Sequence, residues 1–345
     1  GAWGFTRGGM GAIANALSDV DNLIAALETL IAKKSAIKTA AMQQLLTGKK
    51  RLPGFENKGV KESEKQGTKA SENKAVTESE QESEKQGSDQ LSGSGSTNQA
   101  TQSKASKISA SLTKSTGQTS PRPGYKQTEL GEIPEDWEVV ELGDIAEFYK
   151  GKGLPKCELT DSGAYKCIHY GELFTHYSEK ITEIKSLTDT IANTFLSKSN
   201  DILMPTSDVT PNGLATASGL KEDDVILGGD VLVIRPKQGK LDSTYFAYII
   251  SISKNQIMQL ISGSTVYHLY GSDMATFKYA GPQNLEEQTA IANVLSEMDT
   301  ELDALQQRLN KTKAIKQGMM QELLTGKTRL VWHYAKEQGP RQWRH

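Results

Sequence analysis

The sequence predicts a mixed α/β domain carried by two long antiparallel coiled-coil helices, with a disordered linker between the first helix and the domain. Three observations carry this expectation. Residues 12–52 repeat without a gap at 290–330, an offset of 278. Residues 57–124 contain no aromatic residue, no Met and no Cys. Residues 125–281 alone have the composition of a folded core. The expected order is an N-terminal remnant (1–11), a first helix (12–52), a linker (53–124), the α/β domain (125–281), a second helix (282–330) and a C-terminal tail (331–345).

The helices follow from spacing. In the first copy Ile13, Leu17, Val20, Ile24, Leu27 and Ile31 step by four and three residues. In the second, Ile291, Leu295, Met298, Leu302, Leu305 and Leu309 fall at the matching places. That 3.5-residue period buries one stripe against a partner helix. Asn284 with Glu287 forms the expected N-terminal cap of the second helix, and Gly48 and Gly326 the expected C-terminal stops. Ahead of the second copy stands Pro282-Gln-Asn-Leu-Glu-Glu-Gln288, whereas the first has only Arg7-Gly-Gly-Met10. A chain truncated on its N-terminal side, with Met10 as a natural start, is therefore expected.

The linker is Lys, Glu, Ser, Gln, Gly and Thr, and Glu62-Ser-Glu-Lys-Gln-Gly67 returns as Glu82-Ser-Glu-Lys-Gln-Gly87. Such a segment cannot bury enough apolar surface to offset its ordering entropy. As a coil it spans about 45 Å. In the α/β domain, Trp137–Leu142 alternates like a half-buried strand, while Asp201–Met204 and Asp230–Arg235 read as short buried strands. Ser243–Ile261 reads as one helix ending near Gly263.

Composition narrows function. Forty Lys and Arg against 42 Asp and Glu give a net charge of −2, which argues against coating DNA by bulk charge. Two Cys in 345 residues exclude a disulfide-stapled scaffold and a multi-cysteine zinc protein. No apolar run approaches a membrane span and no signal-peptide layout opens the chain, so a cytoplasmic protein without a membrane partner is expected. Charge is segregated locally: eight carboxylates from Glu129 to Glu147 run without a base. Then come Lys150, Lys152, Lys156 and Lys166, interleaved with Tyr149, Tyr165, His169 and Tyr170. Basic residues among aromatics suit either a phosphate-contacting surface or an ordinary solvated face.

Catalytic motifs do not emerge. Gly326-Lys-Thr328 resembles the end of a phosphate-binding loop, but position 321 is Gln where that loop needs Gly. Cys157 and Cys167 lack partners at zinc-ligand spacing, and no G-x-S-x-G or H-E-x-x-H occurs. A binding subunit is expected, with no catalytic residue, no metal and no cofactor of its own.

Pro282–Ala292, leading into a heptad helix that ends Leu323-Leu-Thr-Gly-Lys327, resembles the repeated helical region of type I restriction–modification specificity (S) subunits. Leu130-Gly-Glu-Ile-Pro-Glu-Asp-Trp137, with Leu142-Gly-Asp144 and Lys150-Gly-Lys-Gly153, resembles the start of their target recognition domain. The resemblance implies a non-catalytic subunit that binds double-stranded DNA, each recognition domain reading half of a bipartite site. Its partners would be modification (M) subunits, which methylate adenine with S-adenosylmethionine, and restriction (R) subunits. The chain departs from that pattern in having both helices but one recognition domain, which fits a subunit that lost its first domain or a silent cassette.

Base reading needs polar side chains on loops that reach a groove. Thr206, Ser207, Asp208 and Asn212 after one strand, and Ser264, Thr265, Tyr267 and His268 after a helix, have that character. Lys150, Lys152, Lys156 and Lys166 would contact phosphates. Used alone, the chain is expected to be a monomer whose helices pair internally, in preference to a helix-swapped dimer. A coiled-coil adaptor whose domain binds protein or glycan is the alternative function.

Overall fold

The computed structural model describes residues 7–56, 121–325 and 327. Gly326, the tail at 331–345 and all of the linker between 57 and 120 lie outside the described residues. Helix α1 (Arg7–Leu45) is followed by strands β1 (Tyr125–Thr128), β2 (Gly131–Pro134), β3 (Trp137–Glu141), β4 (Ala146–Lys150), β5 (Tyr165–Ile168), β6 (Ser186–Thr188) and β7 (Phe195–Leu196). Next come β8 (Asp201–Pro205), β9 (Ser207–Asp208), β10 (Ser218–Leu220), β11 (Ile226–Leu227) and β12 (Val231–Pro236). Helices α2 (Ser243–Ile252) and α3 (Lys254–Leu260), strands β13 (Tyr267–His268) and β14 (Lys278–Pro282), and helix α4 (Leu285–Leu324) follow, with one-turn helices at Leu142–Ile145, Lys156–Glu158, Glu172–Thr175, Pro211–Leu214 and Gly271–Ala275 between the strands.

Two compact units divide the chain. Of the described residues, Glu56 with 121–135 forms one; 7–55 with 136–325 forms the other. Within the smaller unit β1 and β2 make an antiparallel hairpin, and the Arg122 guanidinium stacks over Tyr125 while binding Glu132 at 2.7 Å. The expected domain start at Tyr125 thus falls in the smaller unit, and the larger one resumes at Asp136.

The larger unit holds two four-stranded sheets, in orders β10-β8-β12-β4 and β6-β5-β11-β7. Strand β8 and the first four residues of β12 are buried throughout, so their continuous apolar runs have no polar face to alternate with. Leu203, Val231 and Val233 from this sheet meet Ile168, Leu173 and Leu227 in one core cluster. Helix α2 is buried from Ser243 to Ile250, and Asp242 caps it by accepting a hydrogen bond from the Tyr245 amide at 2.9 Å. The single helix expected over Ser243–Ile261 is two. The Ser253 amide closes α2 on the carbonyls of both Ile249 and Ile250, and the same residue opens α3.

Helices α1 and α4 pack antiparallel. As the chain climbs α1, its ion-pair partners descend α4: Asp21 with Lys316, Glu28 with Lys313, Lys34 with Glu301, Lys38 with Asp299. Leu27, Ile291, Leu295 and Leu309 of the heptad stripes are buried; Ile13, Leu17, Val20, Ile24, Ile31, Met298, Leu302 and Leu305 are half-buried, as two helices alone allow. Asn284 caps α4 through the Glu286 amide at 2.8 Å, but Glu287 does not close the cap. It is buried instead against Arg51, 2.5 Å away. Arg51 arrives there because Gly48 turns α1 back in a left-handed conformation, φ +69°. No helix among the described residues is long and apolar enough to cross a membrane.

Candidate nucleic-acid interface

The two polar segments expected to read DNA come together. Strands β9 and β13, some sixty positions apart in the chain, form an antiparallel two-stranded ribbon with Tyr267 opposite Asp208 and His268 opposite Ser207. Leu269 extends the pairing through its amide to the Thr206 carbonyl at 3.0 Å. On the far side of β13 the chain folds back: Ser262 and His268 exchange both backbone hydrogen bonds, at 2.8 and 3.0 Å. The return needs Gly263, at φ +112°, where a Cβ would meet the Val266 carbonyl oxygen at 2.2 Å.

Alternation along the ribbon sorts its side chains by face. Ser207 Oγ and His268 Nδ1 lie 3.0 Å apart on one face, and the Tyr270 ring stacks on His268 with centroids 6.1 Å apart. The opposite face turns into the domain. Thr206 is buried and donates to Asp230 at 3.3 Å. Asp208 accepts from the Val209 amide and the Thr210 hydroxyl, both at 2.7 Å. It sits so close to Gly213 that a Cβ there would lie 1.8 Å from its carboxylate. Thr206 and Asp208 therefore hold the ribbon in place, while Ser207 and His268, half-buried and hydrogen-bonded to each other, border the groove described next. Tyr267, the cross-strand neighbour of Asp208, is half-buried. Asn212 is exposed on the one-turn helix Pro211–Leu214, and Ser264 and Thr265 are exposed in the turn before β13.

The open face continues into a groove of about 540 Å³, lined among others by Phe148, Tyr149, Lys150, Ser207, His268 and Tyr270. Lys150 Nζ lies 3.0 Å from Asp230 at its edge. Lys152 and Lys156 are exposed. Lys166 stands apart on β5, in the other sheet, paired with Glu222 at 2.6 Å. Both lysine pairs are solvent-exposed and contribute ~0–1 kcal/mol each, so a phosphate can displace either carboxylate. Three of the four expected phosphate cations thus lie between the groove and the loop after β4; the fourth does not join them.

Val209, Val266 and Tyr270 went unmarked in the sequence although all three are exposed. Apolar residues inside polar loops were the available signal. Elsewhere, Cys167 is buried and burial pushes its thiol up to about 12, which leaves it protonated and unreactive. Burial also lowers the pKa of His169. Among the described residues no cluster of three His, Cys, Asp or Glu could hold a metal ion.

A sequence profile of the type I restriction modification DNA specificity domain matches residues 134–314. The MjaVIII type I restriction enzyme specificity subunit of Methanocaldococcus jannaschii is 27% identical over 218 residues, 60% of this chain and 49% of that protein. The putative MjaX specificity subunit of the same organism is 30% identical over 210 residues, 58% of this chain and 48% of that protein. The chain therefore spans about half the length of these curated relatives. Among solved structures, the type I restriction–modification S subunit from M. genitalium is 20% identical, with TM-score 0.36 over 49% of this chain and 40% of that one. The HsdS subunit from Thermoanaerobacter tengcongensis is 14% identical, with TM-score 0.39 over 59% and 49%.

Proposed function

The chain belongs to the type I restriction–modification DNA specificity family, and from that membership we propose that it reads one half-site of double-stranded DNA through its single α/β domain. The observation that supports this most is the ribbon. Segments remote in sequence converge to present Ser207 and His268 side by side on an open face. A two-stranded β-ribbon fits the major groove, where each base pair offers a distinct donor and acceptor pattern. Ser207 and His268 would exchange the hydrogen bond between them for bonds to base edges. Lys150, Lys152 and Lys156 set affinity through phosphates, which carry no sequence information. The protein performs no chemistry itself.

The helical pair docks the M subunits in this reading, and S-adenosylmethionine belongs to them. The R subunit joins through that complex. The length of chain joining α1 to the α/β domain supports internal pairing with α4, and so a monomer, when the chain is alone.

Mobility shifts with randomised duplexes over a salt series test the proposal. Binding should fall steeply with salt, and each Lys→Ala change at 150, 152 or 156 should weaken all duplexes alike while flattening the slope by about 0.9 for every phosphate no longer neutralised. Ser207→Ala and His268→Ala should instead change which sequences are preferred. Binding that ignores salt, or a glycan or peptide that competes for the ribbon, would favour the adaptor reading.

A further inference from the structure

Of the residues lining the groove, Asp230 alone carries a carboxylate. It stands between Gly229 and strand β12 in a left-handed backbone conformation, φ +62°. Its main-chain carbonyl accepts from the Thr206 amide at 2.9 Å, which ties it to the residue joining β8 to β9. The side chain is 46% exposed. Oδ1 accepts from the Thr206 hydroxyl at 3.3 Å and pairs with Lys150 at 3.0 Å. Oδ2 has no partner among the described residues.

Neither the backbone nor bulk affinity calls for an acid here. Glycine and asparagine also adopt the left-handed conformation, and a carboxylate repels phosphates. In the DNA-reading proposal Lys150 turns to a phosphate, which leaves Asp230 with the Thr206 hydroxyl as its donor. A carboxylate so placed against a polyanion is costly unless the DNA itself supplies a donor. The donors that a duplex displays in its major groove are exocyclic amino groups, N6 of adenine and N4 of cytosine. Guanine and thymine show acceptor oxygens instead. Resting on the DNA-reading proposal, we infer that Asp230 is a specificity-determining residue whose Oδ2 accepts from the amino group of an adenine or a cytosine and turns away guanine and thymine. Thr206, which holds Asp230 through both its amide and its hydroxyl, is the positioning residue.

The test selects duplexes from a random-sequence library with the full chain and with Asp230→Asn. The carboxamide keeps the shape and tolerates the left-handed backbone, but it donates as well as accepts. The parent should enrich sequences in which one position holds only adenine or cytosine, with guanine or thymine there costing about tenfold in affinity. Asp230→Asn should admit all four bases at that position, leave the other positions as they were, and keep the parent's melting temperature. Replacing the amino group at that position by hydrogen, with purine for adenine or pyrimidin-2-one for cytosine, should weaken the parent severalfold and Asp230→Gly far less. An Asn variant with the parent's preference at every position, or a parent that enriches no amino-restricted position, overturns the Asp230 assignment and leaves DNA reading intact. So does an Asn variant that binds every duplex more tightly with preferences unchanged, since Asp230 would then only hold Lys150. Enrichment of no sequence by the parent overturns the DNA reading, and the inference with it.

Discussion

Arg51 shows how much a single side chain connects. Its guanidinium binds buried Glu287 at 2.5 and 2.6 Å and Asp136 at 2.8 and 3.1 Å, and it lies over the Trp137 ring at 5.6 Å. It thereby ties the end of α1 to the first turn of α4 and to the start of β3. Removing one partner of a buried pair leaves the other charge uncompensated, so Arg51→Ala should destabilise by about 3–5 kcal/mol in urea titration. Replacing both, Arg51→Met with Glu287→Leu, should cost far less. Burial outweighs the guanidinium and raises the Glu287 pKa above 4.5. The folded state therefore holds this proton more tightly than the unfolded one. Stability from this group is fully present below about pH 4.5 and is lost as pH rises through the raised value. Arg51→Ala raises that pKa further, so the variant's stability should fall more steeply with pH above 4.5 than the parent's. None of this was legible in the sequence. Glu287 stands at the capping-box position, and Arg51 is 236 residues away.

At the scale of elements, legibility followed length. The long helices announce themselves because a 3.5-residue period sustained over six positions suits a helix with one buried stripe and no strand or loop. The repeat also foretells their contact. Asp21 and Lys38 become Asp299 and Lys316 at the offset of 278, and the structure pairs Lys38 with Asp299 and Asp21 with Lys316. One ion pair is the image of the other, so the antiparallel pair carries a pseudo-two-fold axis. The ribbon had no such signal. Its strands are two residues each, too short for any periodicity, and join only by long-range pairing. Hence the loops could be named while the faces of their residues could not: Thr206 and Asp208 look as free in sequence as Ser207 and His268. Burial along α4 is likewise uneven. Leu295 is fully buried, and near it Tyr248 of α2 reaches Asp299 at 2.6 Å. Leu302 is only half-buried. Leu295→Ala should therefore cost about 2–5 kcal/mol, and Leu302→Ala clearly less. Equal losses by chemical denaturation would show that the seam is closed evenly along its length.

For the whole molecule the decisive question is whether α1 pairs with α4 of its own chain. Symmetry does not decide it, because α1 of a second copy would offer α4 the same stripe and the same ion pairs. Tethering does. The segment at 57–124 has the composition of a coil spanning about 45 Å. A tether of that composition and length would set an effective concentration near the millimolar range, well above the micromolar concentrations of purified chains. If internal pairing wins, as we propose, sedimentation should return a mass near 37.6 kDa that does not change on dilution. Cutting the tether at a protease site inserted near residue 95 makes the pairing bimolecular. Residues 1–95 should then dissociate as the sample is diluted, while the uncut chain should not. A swapped pair behaves otherwise: it has twice the mass before cutting and places two identical domains about a two-fold axis. Such an assembly would direct adenine methylation to inverted repeats with a fixed gap, whereas a monomer would read one half-site. Dimer mass together with methylation at palindromic split sites in cells would refute the monomer.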